Sequence, residues 1–431
     1  MITNATWKKS IAIALGTAMA AFVTAGCNSV ASTVGLENRG QTITAEAWNI
    51  IGDLYVEAGD RFTQNHPDIK VDVLYSESNY PRIIPRMQAG IDLSDIIFIQ
   101  NKDIPAMLEK YPDSFMDLTD YAAPLKDKFV DSAWTAVTKD GKIYGIPADI
   151  GPVGLFYRAD IFEKAGVKAS EIETWDDFIE ADKKIKAATN GECSIIGMSE
   201  DGDFFEMLLN EAGGSYVSED GKTVVVNSPE GKKALAMVKK LLDSGACRNV
   251  KSWDGRLVAM RRNQIASAPY GVWFAGTISS QLPEQAGKWK VMPLPAFEKG
   301  GNRASNCGGS VMAVYKGTKH KEAAIAFIDY LLNTEEGELM QINKGIFPAY
   351  KPIYEAKVFK ETVPYFGEPI YPFFAEIGNQ IPVFHRGPIM LDAGKVFGDL
   401  VPKVLEGQNT DKILDDAAKD IASLTGLKAG E

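Results

Sequence analysis

Residues 140–166 read DGKIYGIPADIGPVGLFYRADIFEKAG. Asp140-Gly141 signals a tight turn, and 142–146 alternates in the manner of a strand. Pro147, Gly151 and Pro152 then punctuate a segment too stiff for a helix interior and too broken for a central strand. Apolar and aromatic residues resume over 153–157, and the pattern turns helical from Ala159 until Gly166 stops it. Periodicity leaves two readings open here. The segment is a loop between two strands of one sheet, or a crossing between two lobes with Asp149 at the mouth of a cleft.

Working outward, strand and helix patterns alternate. Residues 43–48 read as a first strand, followed by a helix with Leu54, Ala58 and Phe62 on one face that stops before Pro67. Val71, Val73 and Tyr75 alternate as a second strand. The run Ile96-Ile97-Phe98-Ile99 lacks alternation, as a buried parallel strand does. Thr174 with Asp177 three residues on predicts a helix start, Ser228-Pro229-Glu230 another that Gly245 closes, and 319–332 is amphipathic. This order implies an α/β fold with parallel sheets. A chain of 431 residues suggests two domains rather than one.

The N-terminus carries Lys8-Lys9 and an apolar run over 11–25, a secretory signal pattern too short to span a bilayer. It ends Thr24-Ala25-Gly26-Cys27, which resembles a bacterial lipobox with Cys27 as the lipid attachment point; Thr24 departs from the usual Leu or Val. The alternative is an ordinary cleaved signal that leaves Cys27 free. Ser, Thr, Gly and Asn enrich the following residues, as a flexible tether requires. Net charge is −11, and removing residues 1–27 with their two lysines (+2) leaves −13. An acidic surface excludes nucleic acid and adsorption to anionic lipid as functions. Cys193, Cys247 and Cys307 remain, with no metal-ligand or CxxC spacing and room for one disulfide of unreadable pairing.

Four stretches, in this order, resemble the family 1 extracellular solute-binding proteins, the ligand-capturing components of ABC sugar importers. The central one supplies Lys142, Tyr144, Gly145, Pro147 and Asp149, then Tyr157, Asp160, Phe162, Ala165 and Gly166. The others are Trp48-Asn49 with Phe62 and His66-Pro67-Asp68-Ile69; Thr174-Trp175-Asp176-Asp177-Phe178; and Gly308-Gly309-Ser310 followed by residues 322–332. The resemblance implies a two-lobe fold of the class II periplasmic-binding-protein type. Each lobe would be a mainly parallel sheet with flanking helices, and the chain would cross between lobes three times, near 149–152, 305–309 and 333–337. It divides the chain into a lipoprotein signal peptide (1–27), a tether (28–40), an N-terminal lobe (41–150 and 307–333) and a C-terminal lobe (151–306 and 334–431). It further implies a carbohydrate, an oligosaccharide above all, held in the cleft and delivered to an ABC permease by a lipid-anchored monomer on the outer face of the cytoplasmic membrane. No cofactor is expected.

Sugars present apolar C–H faces and hydroxyl edges, so a sugar site pairs aromatic platforms with carboxylates, amides and hydroxyls. Trp273, in Tyr270-Gly271-Val272-Trp273, matches the family's Gly-x-Trp, whose Trp often stacks on a ring; alternatively it packs in the core. Trp48-Asn49 and Gln100-Asn101 end strands, where such ligands lie, although Asn49 at a helix entry also suits a cap. Asp149 is expected to accept from hydroxyls or to cap a turn. Tyr80, Trp253, Gly309, Ser310 and Phe384-His385-Arg386 complete the candidates. Two other classes stand beside this one: a surface glycoside hydrolase, using for example Asp149 with Glu376, and a binding protein for another solute. Three histidines, no nucleophile elbow and no phosphate loop speak against other enzymes.

Overall fold

The structure, a computed structural model, describes residues 40–77, 80–200 and 202–430. Cys27 and the leader lie outside them.

Apolar runs bounded by turn residues build two five-stranded sheets. The first takes β1 (Gln41–Ala47), β2 (Ile69–Tyr75), β3 (Ile96–Gln100) and β4 (Ile146–Asp149). The second takes β5 (Val153–Arg158), β6 (Ser194–Ser199), β7 (Cys247–Lys251), β8 (Ile265–Gly271) and β9 (Trp289–Met292). The chain then returns to the first sheet as β10 (Ser310–Val314). Strand orders are β2-β1-β3-β10-β4 and β7-β6-β8-β5-β9. Each sheet is half parallel (β2, β1 and β3; β7, β6 and β8) and half antiparallel. The antiparallel half gathers the strands that enter and leave the crossings: β4 and β10 in one sheet, β5 in the other. Helical connections impose parallel pairing elsewhere, whereas a strand arriving from the other lobe is free to run either way. Pro147 fits because β4 is the edge strand of that sheet.

The helix Asn49–Asn65 lays Leu54, Ala58 and Phe62, each at most 1% exposed, on the first sheet. Sealing a side chain the size of Leu54 or Phe62 contributes roughly 1.5–3 kcal/mol. In the second lobe Thr174 and Asp177 form a reciprocal capping box at the start of the helix Trp175–Ala188. Ser228 likewise caps Pro229–Asp243 by accepting from the Gly231 N–H. Thr174→Ala is expected to cost about 1 kcal/mol, seen as a lower urea midpoint at unchanged slope; an unmoved midpoint would deny the box any share in stability. Cys193, Cys247 and Cys307 are all free thiols.

The first two crossings lie side by side. Cys307 N donates to Gly151 O (2.8 Å), Gly151 N to Asn306 Oδ1 (3.2 Å) and Val153 N to Ser305 O (2.9 Å). This approach excludes a side chain at Gly151, whose Cβ would stand 2.2 Å from Cys307 O. The third passage comes later than 333–337. Residues there still pack on the first lobe: Glu336 pairs with Arg61 and Lys344 with Glu57 of the first helix, and Ala349 O accepts from Val130 N. Contacts with the second sheet begin beyond, where Tyr365 O accepts from Gly287 N and Glu368 pairs with Lys290. The helix Glu335–Asn343 follows Lys321–Leu332 after only two residues, so the pair docks as one hairpin on one lobe.

Candidate functional site

Where the lobes face each other, a cavity of about 260 Å³ opens. The first lobe lines it with Asn101, Pro105, Ser132, Thr135 and Thr138; the crossings with Ile150, Asn306 and Gly308; the second lobe with residues 217–219, Gly221, Ile381, Pro382 and 384–387. The walls also touch directly, since Lys110 of the helix Ile104–Lys110 pairs with Asp392 at 2.5 Å.

Charge is concentrated along this seam. Arg386 donates to Glu206 at 2.6 Å and lies over the Phe384 ring at 4.7 Å. Burial works against the charge on Glu206, yet Arg386, with Lys102 and Tyr216, outweighs it and holds the carboxyl below its ordinary range. Burial opposes the Lys102 ammonium as well, and Asp203, Asp103 and Glu206 more than restore it, raising the group. Cations and carboxylates from the two lobes thus attract across the cleft.

Of the residues expected to bind ligand, Asn101 and Phe384 line this cavity. Gly309 and Ser310 sit on the second crossing beside it. Gly309 has φ +97°, and a Cβ there would meet the Asn101 amide at 2.3 Å, so glycine is required. Ser310, with its own N–H and hydroxyl, holds the Asp149 carboxylate, which is 8% exposed. Burial lifts Asp149 to about 7, against those hydrogen bonds; its Oδ1 is buried without a partner, as is the Tyr55 hydroxyl, whose own titration burial and then Asp149 push far up. Trp273 is half-buried at the same junction: its Nε1 donates to Cys307 O at 2.7 Å beside Gly308. Its ring leans on Trp253 (5.9 Å) and Tyr270 (5.5 Å).

Trp48 and Tyr80 are drawn inward instead. Trp48 is 8% exposed and packs on Phe98 and Tyr80. Tyr80, 2% exposed, donates to Asp103 and accepts from Gln100 N, bonds that hold its left-handed backbone (φ 56°) in place. Through Tyr80 the end of β3, with Gln100, is fixed in the wall rather than in the cavity. The Asn49 backbone opens the first helix; its side chain is outside what the structure describes. The carboxylate pair Asp149 and Glu376 is not brought together at the cavity, for neither lines it and Glu376 is exposed on its helix. Missed from sequence were Ser132, Thr135, Asn306 and Ser218, which carry no motif; Arg386 beside Phe384 was the one legible signal.

A model of the bacterial extracellular solute-binding proteins matches residues 47–338. The chain belongs to that family. This solute-binding protein is similar to the lactose-binding protein of Rhizobium radiobacter, 28% identical over 385 residues, 85% of this chain and 89% of that one. It is also similar to the arabinooligosaccharide-binding protein of Bacillus subtilis, 27% identical over 358 residues, 80% of this chain and 81% of that one. Among solved structures, the ABC transporter associated binding protein of B. animalis subsp. lactis in complex with β-1,6-galactobiose superposes with a TM-score of 0.79 at 28% identity, covering 91% of this chain and 100% of that one. Members are extracellular binding proteins, and no helix among the described residues is long and apolar enough to cross a membrane.

Proposed function

We propose that this protein captures an extracellular carbohydrate, an oligosaccharide of two or more rings, between its lobes and hands it unaltered to an ABC permease. The observation that carries the reading is a cavity walled by both lobes and by the crossings together. A guest there touches both halves, so it binds the closed form better and shifts the population toward it. The wall chemistry suits the guest: Ser132, Thr135 and Asn101 supply polar groups for sugar hydroxyls, while Phe384 offers an apolar face. Trp273 and Trp253 stand ready at the adjoining junction as stacking surfaces. The lipid anchor at Cys27 would keep the protein on the outer face of the membrane, beside the permease, as a non-catalytic monomer; two acyl chains suffice for that.

Lactose, β-1,6-galactobiose and arabino-oligosaccharides are the sugars to try. Melting with each at a hundredfold excess over its dissociation constant is expected to rise by about 3–5 °C for the right ligand, with the sugar recovered intact. A flat response across mono- and oligosaccharides, or cleavage products in the supernatant, would overturn the proposal.

A further inference from the structure

Two side chains lining the cavity each keep a buried polar atom with no hydrogen-bond partner: Asn101 Oδ1, an acceptor, and Arg386 Nε, a donor. They come from opposite lobes. Both are held so that these atoms stay in place. Asn101 N donates to Gly309 O at 2.9 Å, and its amide nitrogen packs against Gly309, leaving the oxygen as the unserved atom. Arg386 is clamped through its Nη2 by Glu206 and from one face by Phe384, so its Nε edge is the part left over; the side chain is only 13% exposed. A buried donor or acceptor left unmade is costly, so a ligand that supplies both partners recovers that cost on closure.

We propose that Asn101 and Arg386 form a pair of specificity-determining residues that reads ligand hydroxyls from the two sides of the cleft and selects uncharged sugars over uronates. A hydroxyl both donates and accepts, so it serves Asn101 Oδ1 as readily as Arg386 Nε. A carboxylate only accepts; set against Asn101 Oδ1 it places oxygen lone pairs face to face. The guanidinium offers no spare charge either, because Glu206 already neutralises it and Glu219 adds a second carboxylate to the wall. The inference rests on the carbohydrate reading and names the ligand's charge class within it.

The test is calorimetric titration of the wild type, Asn101→Leu and Arg386→Lys with lactose, β-1,6-galactobiose, arabinotriose and digalacturonate. Arg386→Lys keeps the cation beside Glu206 and removes the Nε donor. Melting of each ligand-free variant within about 1 °C of wild type, roughly the shift of 1 kcal/mol in a chain of this size, shows that the fold is kept. The best neutral sugar is expected to bind each variant about tenfold more weakly, and digalacturonate to bind wild type at least tenfold more weakly than that sugar. Unchanged affinity in both variants, or digalacturonate binding as tightly as the neutral sugar, would overturn the pair's role while leaving the carbohydrate reading standing. If no sugar binds wild type, both fall together.

Discussion

Replacing Asp149 by Asn should flatten the pH dependence of stability between pH 4 and pH 7 and leave the variant more stable than wild type above neutrality. The sign follows from proton binding. In the unfolded chain the carboxyl releases its proton near the ordinary 3.8, whereas burial in the folded protein raises it to about 7. Between those values the folded state holds the proton that the unfolded state has lost, so stability falls as pH rises through the window and levels off beyond it. A shift of about three pKa units corresponds to about 4 kcal/mol at full ionisation. Asn keeps an oxygen for the Ser310 donors and carries no charge to bury. Urea unfolding of both proteins at pH 5 and pH 8 measures the difference, and subtraction removes the contribution of the other buried carboxyls. Parallel behaviour of the two proteins would show that the carboxylate is accommodated without burial cost. Asp149 lies where β4, β10 and Pro348 meet.

Trp273→Ala should weaken sugar binding by about 1–3 kcal/mol, the scale of an aromatic anchor, and should lower the urea midpoint as well. The double effect arises because this ring is two things at once. It is a half-buried surface at the junction, and its indole N–H ties the helix Phe274–Gln281 to the second crossing through Cys307 O. Trp273→Phe separates the roles. It keeps the platform and loses the tie, so affinity should recover most of its loss while the midpoint stays reduced. Wild-type affinity in the Ala variant, measured by calorimetry, would remove Trp273 from the site; an unchanged midpoint in the Phe variant would remove the tie.

Much of the local architecture was readable along the chain. The apolar stripe Leu54, Ala58, Phe62, the capping pair Thr174 and Asp177, and the uninterrupted Ile96-Ile97-Phe98-Ile99 each signal an element through neighbours a few residues away, and each element is present. In the central segment 140–166, Pro147, Gly151 and Pro152 mark a break between two strands, while a loop within one sheet and a crossing between lobes stayed open until the family resemblance favoured the crossing. The cavity was another matter. Aromatic residues drew attention to Trp48 and Tyr80, yet the end of β3 pulls them into the wall, while the hydroxyls of Ser132 and Thr135 that line the opening look like any surface residues.

The sequence by itself determined the elements and the α/β alternation, since helix caps and strand patterns are settled within a few residues. Only the tertiary structure decided the third crossing, the antiparallel halves of both sheets and which side chains face the cleft. Those depend on contacts between residues hundreds of positions apart, such as Lys110 with Asp392, and no local pattern encodes which lobe a helix will lie against.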